Sequence, residues 1–86
     1  MKNKTSLPKW FKGTIYDKGD TVTNPFSSEE YKLTNLELSM YDFIMGCNMV
    51  FATGSNRVND EMIKDFEKGL DWFRKTNAKA YMVLLD

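Results

Sequence analysis

The side chains that most often carry enzyme chemistry are scarce in this sequence. It contains no histidine, and its single cysteine is Cys47. A Ser-His-Asp or Cys-His site needs an imidazole to accept the proton of its nucleophile, so neither can be built here. Zinc and other transition metals are bound mainly by His and Cys, so no such metal site is expected. Cys47 falls in an apolar helical pattern, where a free thiol is typically buried and unreactive.

Carboxylates are plentiful, but their spacing indicates a solvated helix surface rather than a catalytic pair. They alternate with lysines over residues 60–71, at Asp60, Glu61, Asp65, Glu67 and Asp71. A pair that transfers protons needs a cleft around it, and about 80 residues rarely form one. The glycines fit neither a dinucleotide-binding fingerprint nor a phosphate-binding loop. We therefore expect no enzyme, no catalytic residue, and no bound cofactor or metal.

Length and charge favour one small domain without a general affinity for polyanions. The 86 residues carry 12 basic and 12 acidic side chains, and the balance holds in each half of the chain. The exception is the start, where Lys2, Lys4, Lys9 and Lys12 occur without an acid. No apolar run is long enough to span a bilayer, and the N-terminus lacks the apolar stretch of a signal peptide. We expect residues 1–8 to form a flexible arm, residues 9–86 to form the domain, and the location to be cytoplasmic.

The first half of the chain has the pattern of a β-hairpin. Turn residues at positions 17–20 and 24–28 separate short stretches rich in aromatic and β-branched residues. Tyr31 and Leu33 alternate with charged residues, which is the period of a half-exposed strand. We predict a hairpin or small meander within residues 13–33. A helix over residues 28–33 is the alternative for its last part.

Capping signals place two helices after the hairpin. Thr34 and Glu37 have the spacing of a capping box, which predicts a helix over residues 35–52 that ends before Gly54. A second helix is predicted to begin near residue 59 or 60 and to end at Asn77. Residues 78–86 are compatible with a short helix or a buried strand, and the alanines at their start favour helix. The predicted fold class is α+β, mainly α: an N-terminal hairpin, two amphipathic helices and a short C-terminal helix or strand.

The second predicted helix has one apolar face. It consists of Met62, Ile63, Phe66, Leu70 and Phe73, with Gly69 at its edge. The missing side chain of Gly69 is expected to let another element pack closely.

The first predicted helix is apolar on two sides, which is unusual for a chain this short. One stripe contains Leu36, Met40, Phe43, Ile44, Cys47, Val50 and Phe51. The second stripe contains Leu38, Tyr41, Met45 and Met49, with Ala52 at its end. Such a helix is either enclosed by other elements or shared with another chain. We predict that the second stripe is the interface of a homodimer; its cover by the hairpin or the C-terminal segment is the competing interpretation.

Two segments carry a resemblance to a known group of proteins. They are NPFSSEEYKLT, residues 24–34, and LSMYDFIMG, residues 38–46. Both resemble short uncharacterised proteins of tailed bacteriophages of marine bacteria, cyanophages among them. That group has no assigned activity, so the resemblance implies a phage origin and an infected bacterial cell as the setting, and it transfers no site.

Two functions remain after these exclusions. The first is a small non-enzymatic protein-interaction module that associates with itself, which the resemblance would make a phage accessory protein. The second is a nucleic-acid-associated accessory factor that uses the basic arm together with Trp10 and Phe11, since lysine suits phosphate and an aromatic ring suits base stacking. The neutral remainder of the chain favours the first, with a protein partner and no membrane or nucleic acid.

Overall fold

The computed structural model describes residues 7–54, 56 and 58–85. Two strands are followed by helices: β1 Asp20–Thr23, β2 Glu30–Leu33, α1 Asn35–Thr53, α2 Asp60–Thr76 and α3 Ala78–Leu84. The α+β, mainly helical class is confirmed. The ambiguous tail forms a helix, and residues 30–33 form a strand rather than the helical alternative.

The hairpin pairs β1 and β2 antiparallel, with Val22 opposite Tyr31. Tyr31 is half-buried and Leu33 fully buried, whereas Glu30 and Lys32, which alternate with them, are exposed, as the alternation predicts. Gly19 precedes β1 at a point where any Cβ would collide with the Leu33 carbonyl oxygen. A side chain there would push the start of the hairpin away from the strand it pairs with.

Both ends of α1 follow from local sequence signals. The Glu37 amide donates to Thr34 Oγ1 at 3.2 Å, and the Thr34 amide donates to Glu37 Oε1 at 3.0 Å. This is the reciprocal capping box that the sequence predicts. The helix ends where Gly54 adopts the left-handed conformation, with φ of 65°.

The junction between α2 and α3 depends on Asn77. Its amide donates to the Phe73 carbonyl and closes α2, and its side-chain oxygen accepts from the Ala80 amide at 3.1 Å and caps α3. Asn77 Nδ2 also donates to Glu37 Oε2 at 3.1 Å. The buried Glu37 carboxylate therefore connects the start of α1 to the turn between α2 and α3.

The core lies where α1, α2, α3 and β2 meet. Gly69 brings α2 close to α1, because a Cβ at this position would lie 3.2 Å from Met40 Sδ. This confirms the close packing expected at that glycine. The buried apolar cluster consists of Leu33, Met40, Tyr41, Ile44, Phe73, Ala80 and Leu84.

The segment before the hairpin packs along α1. The Tyr16 amide donates to Ser39 Oγ at 2.9 Å, and Asn35 Nδ2 donates to the Tyr16 carbonyl at 3.2 Å. Nearer the start of the same segment, Leu7 packs against the core. Most of the predicted arm, residues 1–6, lies outside the described residues, so its flexibility stays a prediction.

Candidate interaction surface

The four residues predicted as a dimer interface do not form one free face. Tyr41 belongs to the core at 9% exposure, with its ring centroid 6.5 Å from that of Phe73. Leu38 and Met45 are half-buried and pack against the core. Met49 alone among the four is well exposed, at 69%. Cover within one chain, the competing interpretation, therefore accounts for Tyr41 and for much of Leu38 and Met45. Met49 remains exposed to solvent.

A small cleft beside Met45 shows which elements cover that stripe. Its lining comes from the hairpin turn, α1 and the end of α3: Asn24, Pro25, Phe26, Met45, Asn48, Leu84 and Leu85. Both apolar sides of α1 have neighbours within the chain: α2 packs against one side, and the hairpin turn and α3 approach the other. Packing within one chain thus explains most of the second stripe.

Phe26 lies at the edge of this cleft with its side chain 96% exposed. The turn that carries it is held by Asn24, whose Oδ1 accepts from the Phe26 amide at 2.8 Å and the Ser27 amide at 3.3 Å. Asn24 Nδ2 donates to the Val83 carbonyl at 2.8 Å, which fastens the turn to α3. A large apolar side chain is therefore held out in solvent on a fixed turn.

A second apolar depression opens between the end of α1 and the first half of α2. It has a volume of about 650 Å³. Its lining is Phe51, Gly54, Val58, Ile63, Phe66, Glu67 and Leu70, and we call it the α1–α2 groove. Phe51 and Phe66 meet edge to face, with ring centroids 5.1 Å apart.

Ile63 corrects the sequence-based description of α2. It belongs to the predicted apolar face, yet it is 40% exposed at the groove. The hairpin and α3 pack around Tyr41 and Phe73, toward the other end of the helix pair. At the other end, where the chain turns from α1 into α2, apolar side chains of the groove thus stay open to solvent.

Cys47 lies in the interior, as its place in the apolar stripe predicts. Burial raises the pKa of its thiol, and the nearby charge of Asp65 acts in the same direction. The thiolate is the reactive form, so this environment makes Cys47 a poor nucleophile.

The groups proposed for nucleic-acid binding make contacts within the chain. Trp10 and Phe11 pack on Phe43, with ring centroids 5.9 Å and 5.5 Å from it. Lys12 Nζ lies 2.8 Å from Glu61 Oε2. This hydrogen-bonded pair raises the pKa of Lys12 and lowers that of Glu61. Both side chains are well exposed, so screening by water keeps the pair weak.

The described residues hold no obvious site for a metal ion. No group of three or more Cys, Asp or Glu side chains comes together among them in a way that could bind one. Nor does the described part of the chain contain a helix long and apolar enough to cross a bilayer.

Comparison with known proteins adds no relative. No protein family, no curated protein and no solved structure shows significant similarity to the chain.

Sequence reasoning missed the α1–α2 groove, although a signal for it exists. Val58, just before α2, and Ile63, in its first turn, are apolar residues close together in the chain. Whether such residues are covered depends on which elements reach that end of the helix. Periodicity alone does not contain this information.

Proposed function

We propose that this protein is a non-enzymatic interaction module that pairs with a second copy of itself. The observation that supports the proposal most is the apolar surface left open in two places: the α1–α2 groove, and Met49 on the second stripe of α1. Apolar surface of this kind contributes little to the fold of a single chain. Its removal from water would stabilise a complex by roughly 25 cal/mol per Å², before the cost of association is subtracted.

The size and charge of the chain are compatible with such pairing. A specific interface buries about 800 Å² on each partner. The surface of this chain is 5854 Å², so an interface of that size would occupy about one-seventh of it. Net charge is zero, so two copies do not repel each other at long range.

The resemblance to marine phage proteins suggests where this activity belongs. We propose an accessory protein that works in the cytoplasm of an infected bacterial cell. The resemblance carries no activity with it, and the process served by the dimer is a separate question.

Light scattering coupled to gel filtration tests self-association directly. The wild type is expected to change from monomer to dimer as its concentration rises. Met49→Glu should shift this equilibrium to the monomer and leave the melting temperature unchanged, because Met49 is exposed. Met82→Glu is the matched control, since Met82 is also a helical methionine, 66% exposed, but lies on α3 and not on the stripe of α1 that contains Met49.

Two results would contradict the proposal. One is a wild type that stays monomeric at every concentration. The other is a Met82→Glu variant that loses the dimer as completely as Met49→Glu, which would point to a general effect of charge. Met45→Glu is a poorer probe, because Met45 packs against the core and the substitution can unfold the chain.

The nucleic-acid-associated factor remains the alternative, and one observation favours keeping it. Trp10 and Trp72 line a shallow cleft together with Lys68 and Lys75, the second of which pairs with Asp71 in the same cleft. Binding there would appear as affinity for single-stranded DNA or RNA that falls steeply as salt rises. We expect weak binding at most, since Trp10 already packs on Phe43.

The lysines of the chain start provide the test of this alternative. Replacing Lys2, Lys4, Lys9 and Lys12 by Gln should leave self-association unchanged. Salt-sensitive binding that the same four substitutions abolish would favour the nucleic-acid function over the interaction module.

A further inference from the structure

We infer that the α1–α2 groove is a binding site for a small organic cation, an ammonium group attached to an apolar alkyl or aryl body. The inference goes beyond the proposed self-association and does not depend on it. Met49 belongs to the second stripe of α1, whereas the groove is built on Phe51 of the first stripe and on α2. A pair formed through Met49 therefore does not need the groove.

The dimensions of the groove suit a small molecule better than a protein. Its volume of about 650 Å³ is within the range of roughly 300–1,000 Å³ found for ligand pockets, which often lie between helices. Along α2 the groove extends from Ile63 to Leu70, a distance of about 10 Å at the rise of an α-helix. A specific protein interface buries about 800 Å² on each partner, and a depression of this length does not supply that area.

The walls of the groove supply apolar surface for the body of the ligand. Ile63 and Leu70 line the α2 side, and Val58 lies just before that helix. Phe51 and Phe66 meet edge to face, with ring centroids 5.1 Å apart. The face of an aromatic ring attracts a cation, and ammonium groups are recognised by aromatic side chains in this way.

Glu67 places a negative charge at the same groove. Among the described residues that line the groove, it is the only charged one. In the part of the chain that the structure describes, Glu67 takes part in no salt bridge, and its side chain is exposed. Its carboxylate can therefore pair with a cationic group whose apolar body lies in the groove.

The end of α1 adds negative electrostatic potential. Gly54, which ends α1, lines the groove, and the C-terminus of a helix carries a partial negative charge. The last turn of α1, residues 50–53, contains no lysine or arginine to offset that charge. The start of α2 carries a positive partial charge, but its first turn contains Asp60 and Glu61. A carboxylate, a helix C-terminus and aromatic rings thus all favour a cation over an anion.

Three probes of equal chain length and different charge provide the test: octyltrimethylammonium, 1-octanol and octanoate, each below the concentration at which it forms micelles. Binding to the full chain is followed by NMR of the methyl groups of Ile63 and Leu70. We expect the cation to bind saturably, with a dissociation constant of the order of a millimolar, because a ligand with so few atoms gains little affinity. Octanol should bind about threefold and octanoate about tenfold more weakly than the cation, since an exposed carboxylate and a ring face each add a modest attraction.

Two substitutions separate the charge from the apolar contact. Glu67→Gln should weaken binding of the cation about threefold and strengthen that of octanoate, while the affinity for octanol and the melting temperature stay unchanged. Ile63→Ala should weaken the binding of all three probes, measured at Leu70. Glu30→Gln is the matched control, because it removes an exposed carboxylate from β2, away from the groove, and it should change none of these affinities.

Several results would overturn the inference. They are the lack of a saturable shift at Ile63 and Leu70 with the cation, equal binding of the three probes, a preference for octanoate, and a Glu67→Gln variant that keeps the order of the wild type. Shifts of the same methyl groups that grow with protein concentration in the absence of a probe would also overturn it, because a second copy would then occupy the groove. A monomeric wild type that binds the cation at Ile63 and Leu70 would support the inference and contradict only the proposed function.

Discussion

The carboxylate of Glu37 should stabilise the fold as a double hydrogen-bond acceptor, and an isosteric amide should not replace it. Its two oxygens accept from the Thr34 amide and from Asn77 Nδ2. Asn77 has no freedom to reverse its amide, because its oxygen accepts from the Ala80 amide and caps α3. The directions of these three hydrogen bonds are therefore fixed, because a backbone amide donates at each end of the series: that of Thr34 to Glu37 and that of Ala80 to Asn77.

Glu37→Gln keeps the shape of the side chain but replaces one acceptor oxygen by a donor NH₂ group. The Gln oxygen can still accept from Thr34, but its NH₂ then faces the NH₂ of Asn77. Turning the Gln amide places two donors together at Thr34 instead, and turning Asn77 places two donors together at Ala80. No orientation of the two amides satisfies every group.

The expected loss is large for a domain of this size. A hydrogen bond to a charged acceptor contributes about 1.5–3 kcal/mol, and an unsatisfied buried donor costs about 1–3 kcal/mol. We expect Glu37→Gln to lower the free energy of unfolding by about 2 kcal/mol, from a total of about 4–13 kcal/mol for this chain length. The melting temperature should fall by about 10 °C.

Urea unfolding followed by circular dichroism measures these values, and Asn77→Asp supplies the decisive comparison. Alone, Asn77→Asp puts two carboxylates in contact and should destabilise the fold. Combined with Glu37→Gln, it should restore stability, because the Gln NH₂ can donate to Asp while the other Asp oxygen caps α3. The coupling free energy between the two substitutions should be about 1–3 kcal/mol. Glu67→Gln is the control for the loss of a charge on an exposed helix position, with an expected change within about 0.5 kcal/mol.

Strict additivity would refute this reasoning. If the double variant loses the sum of the two single losses, Glu37 and Asn77 do not act through the hydrogen bond between them. A Glu37→Gln variant as stable as the wild type would also show that the carboxylate is not needed as a double acceptor.

Further predictions concern the Cys47 thiol, two glycines and the metal content of the protein. The Cys47 thiol should react with a disulfide reagent at least about tenfold more slowly in the folded than in the urea-unfolded protein. Burial raises the pKa of this thiol in the folded protein. The stability that the neutral thiol contributes is therefore complete below the unfolded pKa of about 8.5 and is lost as the pH rises through the folded pKa. Melting temperatures measured from pH 7 upward should fall once the pH exceeds the unfolded pKa. Gly46→Ala should raise the free energy of unfolding by about 1 kcal/mol, since no atom beyond the neighbouring residues and the local helix backbone lies within 4 Å of the added Cβ. Gly19→Ala should lower it because of the collision with the Leu33 carbonyl, and equal effects of the two substitutions in thermal unfolding would contradict this packing. Elemental analysis of the purified protein should find no stoichiometric zinc or iron, and one equivalent of either would overturn the argument from composition.

The bounds of the secondary structure could be predicted because their signals are local. Thr34 with Glu37 starts α1, Gly54 ends it, and Asn77 separates α2 from α3. Each of these residues acts on backbone groups within four positions of itself. Nothing distant in the chain has to be known for such contacts to form.

The candidate surface could be predicted only in part. The sequence predicted that α1 has more apolar surface than one chain covers; of the second stripe, Met49 is exposed, whereas Tyr41 is buried and Leu38 and Met45 pack against the core. It did not show that Tyr41 would be enclosed by Phe73. It also did not show that Ile63 would be left open at the groove, or that Phe26 would extend from its turn.

The sequence by itself thus determined the class of the fold, the ends of its helices, the alternation of the hairpin and the interior position of Cys47. These features depend on caps, turns and periodicity, which act over a few residues. Which apolar side chains remain in solvent was decided by the tertiary structure alone. The Asn24 side chain fastens the hairpin turn to Val83 in α3, a bond between residues far apart in the chain, and the cover over Met45 depends on that placement. Exposure depends on where distant elements come to rest, because the same apolar residue is core when a neighbour reaches it and surface when none does.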